Sequence, residues 1–284
     1  MNDCLICLFS YNRYPHLKLC LDFLIKDIDS LNGRIIIFDD GSSDKRIHDL
    51  LYTYMDRYPT QISCNMCTEK PPIKSTDEEA LSIGKQRKEA IKLFLMTEHK
   101  YVLLLDDDVI VSCATIMDAI EDFDFLERSD YLNPGILTLH GQLEIDGFVV
   151  VDSNVFSLMH LTGEAHLLLS RESLIKVGNH FGKGRRGFAD TQLEAYFNAG
   201  YDYLDRVNPP YSVQHVGFGE KGSVIHAHQK KMPVWNKGPY RSVWKHGKSK
   251  PIEVNGFDLG KYCVCVQEHG GMNAPLAYLG EYDG

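Results

Sequence analysis

The sequence predicts an α/β fold: a mostly parallel central sheet flanked by helices, with a smaller antiparallel portion later in the chain. Two observations lead there. Residues 3–10 (DCLICLFS), 34–38 (RIIIF) and 101–105 (YVLLL) are apolar runs with the length of buried strands, and each gives way to a polar turn and then a helical pattern. Such alternation marks parallel strands with helices packed on the sheet faces. Beyond residue 130 the pattern changes to short alternating runs at 135–139, 143–151 and 154–161, which suit antiparallel strands.

The elements follow in order. After the first run, residues 15–28 carry helical spacing through Leu17, Leu21, Leu24, Ile25 and Ile28. The second run ends in DDGSSD (39–44), and a helix follows through Tyr58. Residues 59–75, rich in Pro, Thr, Ser and Cys, read as a loop holding a short strand. Thr76–Glu98 reads as a helix with Asp77, Glu78 and Glu79 in its first turn, where the helix dipole favours negative charge. The strand 101–105 runs into Asp106-Asp107-Asp108, and helices are expected at 112–127, about 170–178 and 190–200. From about residue 205 the chain reads as loop-rich.

Composition narrows the functional classes. Apolar residues make up 44% and charged residues 24%, as in a soluble globular protein, and no stretch reaches the roughly 18 apolar residues of a membrane span. The N-terminus lacks the basic region and cleavage site of a signal peptide, so the expected location is cytoplasmic. Eight cysteines fall without zinc-finger spacing and read as small hydrophobes and surface thiols in a reducing compartment. The net charge is −9, yet residues 221–250 hold eight Lys/Arg and no acidic residue, an anion-binding candidate or a solvated loop.

Chemistry concentrates at strand ends. Three adjacent carboxylates after an apolar strand repel one another, and a hard divalent cation such as Mn²⁺ or Mg²⁺ relieves that repulsion. Ligands of open α/β sheets bind at the carboxyl ends of strands. Strand alternation places Asp106 and Asp108 on one side and Asp107 on the other. Asp39 and Asp40 end the second strand at the same edge, where a carboxylate can accept from a nucleobase N–H or a ribose hydroxyl. A helix cap within a Gly-Ser turn is the rival reading for Asp40 and Asp44, and a weaker one for Asp39.

In order, FSYNR (9–13), IIIFDDGSSD (35–44), GKQRKEA (84–90) and YVLLLDDDV (101–109) resemble the nucleotide-binding half of GT-A glycosyltransferases of the family 2 kind. The resemblance implies a Rossmann-like GT-A fold in one catalytic domain over 1–284. Residues 1–111 would form the nucleotide-sugar-binding lobe, 112–225 the acceptor and catalytic lobe, and 226–284 a basic C-terminal loop and tail. It implies that Ser10, Tyr11, Arg13 and Asp39 contact the nucleoside and that Arg87 faces the diphosphate or sugar. Asp106 and Asp108 would form the metal-binding pair, with Asp106 and Asp107 also on the donor side. Lys88 stands where the family often has Asn.

In the second half, GEAHLLLSRESLIKVG (163–178) is similar to the family's strand-and-helix unit under the acceptor site. RGFADTQLEAYFNAGY (186–201) is similar to its segment with an acidic pair at a helix head, here reduced to Asp190 after Ala189. Asp190 would be the catalytic base of an inverting transfer, and the same residue can cap its helix. VQHVGFGEKGS (213–223) implies His215 as third metal ligand. Glu164, Trp235 and Trp244 are acceptor-side candidates. The implied activity moves a sugar from a nucleotide-diphosphate sugar, expected to be a UDP-sugar, to a hydroxyl of a glycan. The aromatic and basic residues of 221–250 leave a nucleic-acid acceptor open. A nucleotidyltransferase is the alternative enzyme, but SYNRYP stands where its Gly-rich phosphate loop would be. A non-catalytic transferase-like binding module is the other alternative, disfavoured by the intact Asp106, Asp108, Asp190 and His215.

Overall fold

A computed structural model describes residues 3–67, 76–128, 133–139, 147–151, 154–158, 166–182, 190–206, 213–215, 240–242, 252–253, 262–267 and 278–281. In chain order the elements are β1 (Cys4–Ser10), α1 (Tyr14–Lys26), β2 (Gly33–Asp39), α2 (Lys45–Arg57), β3 (Ile62–Met66), α3 (Thr76–Leu95) and β4 (Tyr101–Asp106). They continue through β5 (Val109–Val111), α4 (Cys113–Glu127), β6 (Pro134–Thr138), β7 (Gly147–Val151), β8 (Asn154–Leu158), β9 (His166–Ser170), α5 (Arg171–Val177), α6 (Asp190–Asn198) and β10 (Asp202–Arg206). The last strands are β11 (Val213–His215), β12 (Tyr240–Ser242), β13 (Ile252–Glu253), β14 (Tyr262–Gln267) and β15 (Tyr278–Glu281).

The main sheet has the order β13-β7-β8-β10-β6-β9-β4-β1-β2-β3. β3, β2, β1 and β4 run parallel; β9 joins β4 antiparallel, β6 joins β9 antiparallel, and β10 lies parallel to β6. The expected parallel half and the antiparallel portion beyond it are both present. β5 pairs with β11 in a separate ribbon, and β12, β14 and β15 form a third sheet in the tail that reads as loop from the sequence.

β1 and β4, in the middle of the sheet, are buried on both faces, which is why they read as continuous apolar runs. Ile6 and Leu8 of β1 pack with Leu17 and Leu21 of α1, Ile47 and Leu51 of α2, and Ile116 and Phe123 of α4. Leu5, Cys7 and Phe9 point the other way, toward Ala90, Ile91 and Phe94 of α3, Leu174 of α5, and Leu193 and Tyr196 of α6. Cys4, Cys7, Cys20 and Cys113 are buried, and the Cys20 and Cys113 thiols donate to the Val109 and Leu24 carbonyls. No helix among the described residues is long and apolar enough to cross a membrane.

Two helix ends are satisfied from far along the chain. Both carboxylate oxygens of Asp27 accept from the Cys113 and Ala114 amides, adding to the Ser112 cap of α4. The Arg171 guanidinium donates to the Phe94, Thr97 and His99 carbonyls, closing the carboxyl end of α3. These contacts fix α3 and α4 on opposite faces of β4, so the strand that carries the acidic run is held from both sides.

Candidate functional site

The carboxyl ends of β1, β2 and β4 form one level edge. Ser10 pairs in register with Asp39, and Phe9 with both Phe38 and Asp106. The ladder continues past the strand ends: the Asp40 amide donates to Ser10 O, the Asp107 amide to Phe9 O and the Cys67 amide to Asp39 O. This edge therefore gathers Ser10, Asp39, Asp40 and the acidic run.

β4 ends at Asp106, and Asp107 and Asp108 lie in a turn. Strand alternation stops there, so the sequence expectation of Asp106 and Asp108 on one side does not describe how the three are paired. Arg13, the N-cap of α1, bridges Asp107 and Asp108, reaching Asp108 at 2.7 Å. Arg87 of α3 approaches Asp106 at 3.2 Å. Asp107 and Asp108 are buried, whereas the Asp106 side chain is 32% exposed. Burial pushes the Asp107 carboxyl up to about 7; Arg13 and Ser10 oppose that rise, while Asp108 and Asp106 add to it. The same carboxylates raise the Arg13 guanidinium further above its ordinary value, against the effect of its own burial.

Arg87 is the largest fully buried side chain among the described residues, with its guanidinium 5.9 Å from the centre of the Phe9 ring. It presents its charge to Asp106 from beneath the edge. The guanidinium orients a carboxylate that solvent reaches.

The end of β2 is built from its own turn. Asp39 is 1% exposed, and its two oxygens accept from the Ser42 amide and hydroxyl. The turn contact that the sequence reading held as the weaker rival for Asp39 is present, alongside Asp44 as cap of α2 through the Arg46 amide. Asp40 accepts from Ser82 of α3 at 2.8 Å. Tyr11 follows Ser10 in the β1–α1 loop, half-buried at the same edge.

At Asp190 and His215 the structure describes the backbone. β11 runs antiparallel to β5 with His215 opposite Val109, the residue after Asp108. That register brings His215 to the acidic run across 107 positions of sequence. Asp190 begins α6, which leads into β10. Because β10 runs parallel to β6, and hence to β4, the topology places the start of α6 toward the edge where β4 ends. Buried Gln192 fixes this helix start: its amide accepts from the His180 N–H at 2.6 Å and donates to Gly178 O at 2.9 Å. The 178–182 loop in turn packs on α3, with Asn179 donating to Lys88 O and Gly182 (φ +71°) against the Gly84 carbonyl. Sequence reasoning missed Gln192, Asn179 and Gly182. Glu164, Trp235 and Trp244 lie outside the described residues.

Among the described residues no group of three or more His, Cys, Asp or Glu side chains is placed to hold a metal ion. The donor set nonetheless fits a hard divalent cation. Two guanidinium groups pair with three adjacent carboxylates, leaving one negative charge of the run over and hard oxygen donors at its partly exposed end, Asp106.

No family model and no curated protein matches the sequence. Solved structures similar to it include the mannosyltransferase PcManGT from Pyrobaculum calidifontis in complex with GDP-Man and Mn²⁺, at 13% identity and TM-score 0.49, over 74% of this chain and 55% of that one. Another is S. aureus TarS 1–349 in complex with UDP-GlcNAc, at 15% identity and TM-score 0.44, over 72% of this chain and 55% of that one. A third is GalNAc-T7 with UDP, GalNAc and Mn²⁺, at 9% identity and TM-score 0.49, over 72% of this chain and 41% of that one. The chain thus spans about half the length of these proteins. The molecule's own strand order, a parallel β3-β2-β1-β4 half with an antiparallel β9 next and β6 and β10 returning parallel beyond it, is that of a mostly parallel α/β sheet with an antiparallel insertion.

Proposed function

We propose that this chain is a metal-dependent glycosyltransferase that moves a sugar from a nucleotide-diphosphate sugar to an acceptor hydroxyl with inversion. The observation that carries the reading is the level sheet edge where the acidic run, Arg13, Arg87 and the Asp39 turn converge.

In this reading the β1–α1 and β2–α2 loops hold the nucleoside, with Tyr11 and the remaining lone pairs of Asp39 as its partners. Asp106 and Asp108, with His215 beside Val109, would hold Mn²⁺ or Mg²⁺. The ion supplies positive charge against the departing diphosphate. Arg87 keeps the Asp106 carboxylate oriented, and Arg13 keeps Asp107 and Asp108 from repelling each other. Asp190 takes the proton of the acceptor hydroxyl as its oxygen bonds to the anomeric carbon. The bond from that carbon to the diphosphate breaks, and the nucleoside diphosphate leaves with both electrons. The attack from the opposite face inverts the anomeric centre. Glu164, Trp235 and Trp244 belong to the acceptor side of the reading.

The test is a thermal-shift series with UDP, GDP and their sugar conjugates, with and without Mn²⁺. A ligand at about 100 times its Kd stabilises by about 2.7 kcal/mol. At least one nucleotide is expected to raise the midpoint by several degrees in the presence of Mn²⁺ and by much less without it. No shift with any nucleotide would overturn the donor assignment.

A further inference from the structure

Asn12 lies between Tyr11 and Arg13 and has φ +52°, a left-handed backbone that residues other than glycine rarely adopt. It is the one non-glycine with positive φ among the described residues. That conformation turns its side chain into the neighbouring β2–α2 loop. The Asn12 Oδ1 accepts from the Ser43 amide at 2.8 Å, the Ser43 hydroxyl at 3.3 Å and the Asp44 amide at 3.3 Å. Its own amide donates to Ser42 Oγ at 2.9 Å, and Ser42 Oγ donates onward to Asp39. One residue therefore engages three successive positions of the loop, and through Ser42 it sets the Asp39 carboxylate.

The other end of the same short segment is equally constrained. Arg13, the next residue, is pinned to Asp107 and Asp108. Asn12 thus joins the β2–α2 turn to the acidic end of β4 through a single peptide unit. A loop-former alone would need the left-handed backbone but not a carboxamide oxygen placed for three donors. Non-glycine residues held in sparsely populated backbone regions persist where surrounding contacts over-determine them, and they cluster at binding sites.

We propose that Asn12 is a positioning residue: a latch between the β1–α1 and β2–α2 loops that sets Asp39 and Arg13 for a nucleoside diphosphate. The proposal rests on the transferase reading above for the identity of the ligand, but not for the latch itself. Three variants separate backbone from side chain. Asn12→Gly keeps the left-handed backbone without strain and removes the acceptor. Asn12→Asp tolerates the same backbone and restores an acceptor oxygen. Asn12→Ala removes the acceptor and adds strain.

Two measurements decide it: hydrogen exchange at the Ser43 and Asp44 amides, and the Kd of UDP and GDP with Mn²⁺. In Asn12→Gly both amides should exchange about tenfold faster, and nucleotide Kd should rise about tenfold, or roughly 1.4 kcal/mol. Asn12→Asp should return amide exchange to within about threefold of the parent. Asn12→Ala should match Asn12→Gly in both and lose additional thermal stability. Parent-like exchange in Asn12→Gly would overturn the latch. Faster exchange with an unchanged Kd would overturn its role toward the nucleotide. If the parent bound neither UDP nor GDP, the transferase reading would fail, and amide exchange alone would decide the latch.

Discussion

Replacing Asp190 with Asn is expected to slow sugar transfer by about 10²–10⁴-fold, the range contributed by a positioned general base. The substitution keeps the size and shape of the side chain but removes its charge and its capacity to take a proton. Asp190 starts α6, an element separate from those that carry the Asp39 turn and Arg13. Nucleotide affinity should therefore stay within about twofold of the parent, a free-energy change below roughly 0.5 kcal/mol. The measurement is the initial rate of transfer, or of hydrolysis where water is the acceptor, together with nucleotide Kd by calorimetry. A parent-like rate in Asp190→Asn would remove this residue from the chemistry. A rate loss accompanied by an equal loss of affinity would mean that the change had disturbed the fold of the 178–182 loop through Gln192 and Thr191, both bonded to it.

Arg13→Met is expected to cost about 2–3 kcal/mol of folding stability at pH 8 in metal-free buffer. Breaking a buried ion pair costs roughly 3–5 kcal/mol, and the solvent reaching the third of Arg13 that is exposed lowers that figure. The pH dependence has a definite sign. The Asp107 carboxyl is raised from 3.8 to about 7 in the folded protein, so between those values the native state holds more protons than the unfolded chain. The associated stability is complete below about pH 4 and is lost as pH rises through 7. At pH 5 Asp107 is largely protonated, and Arg13→Met loses chiefly its pairing with Asp108. At pH 8 Arg13 compensates two charged carboxylates in the parent, and its removal leaves them to repel or to take up a proton, so the loss is larger. Urea denaturation at pH 5 and pH 8, with Asp107→Asn as the reference lacking this titration, reads the difference. An equal loss at both values, or none, would contradict the pairing of Arg13 with Asp107.

Much of this molecule is legible in its sequence, for a reason that lies in burial. β1 and β4 are covered on both faces, so DCLICLFS and YVLLL announce themselves as unbroken apolar runs, and α1 shows its core stripe at Leu17, Leu21 and Leu24. β10 was hidden because DYLDR carries three charged residues in five and owes its place to β6 and β8, both distant in sequence. β5 was hidden behind the aspartates that precede it, and the β12-β14-β15 sheet within a tail of glycines and lysines.

The site divides along the same line. Three aspartates after an apolar strand advertise a charge problem without naming its partners. Arg13 solves part of it from 94 positions upstream and Arg87 another part from 19, contacts that no local pattern encodes. Asp39 is legible as a strand-end carboxylate, but its engagement with Ser42 depends on the left-handed Gly41 and on Asn12 across the edge. Gln192 left no signal at all, because its partners are backbone atoms of a loop whose conformation the sequence does not display.

The role of the acidic run is tested most directly by the Mn²⁺-dependent release of free sugar from UDP- and GDP-sugars, compared between the parent and Asp106→Asn. Asp106 is the acidic residue of the run that solvent reaches, and it is held by Arg87 at 3.2 Å, so its substitution leaves the buried Arg13 pairings in place. The parent is expected to hydrolyse at least one donor slowly, to lose that activity on chelation, and to regain it with Mn²⁺. Asp106→Asn should reduce the rate by about 10²-fold or more, the scale of losing one preorganised electrostatic contact to a departing group. Hydrolysis that ignores chelation, or an Asp106→Asn protein that turns over at the parent rate, would contradict a metal-and-diphosphate role for this edge.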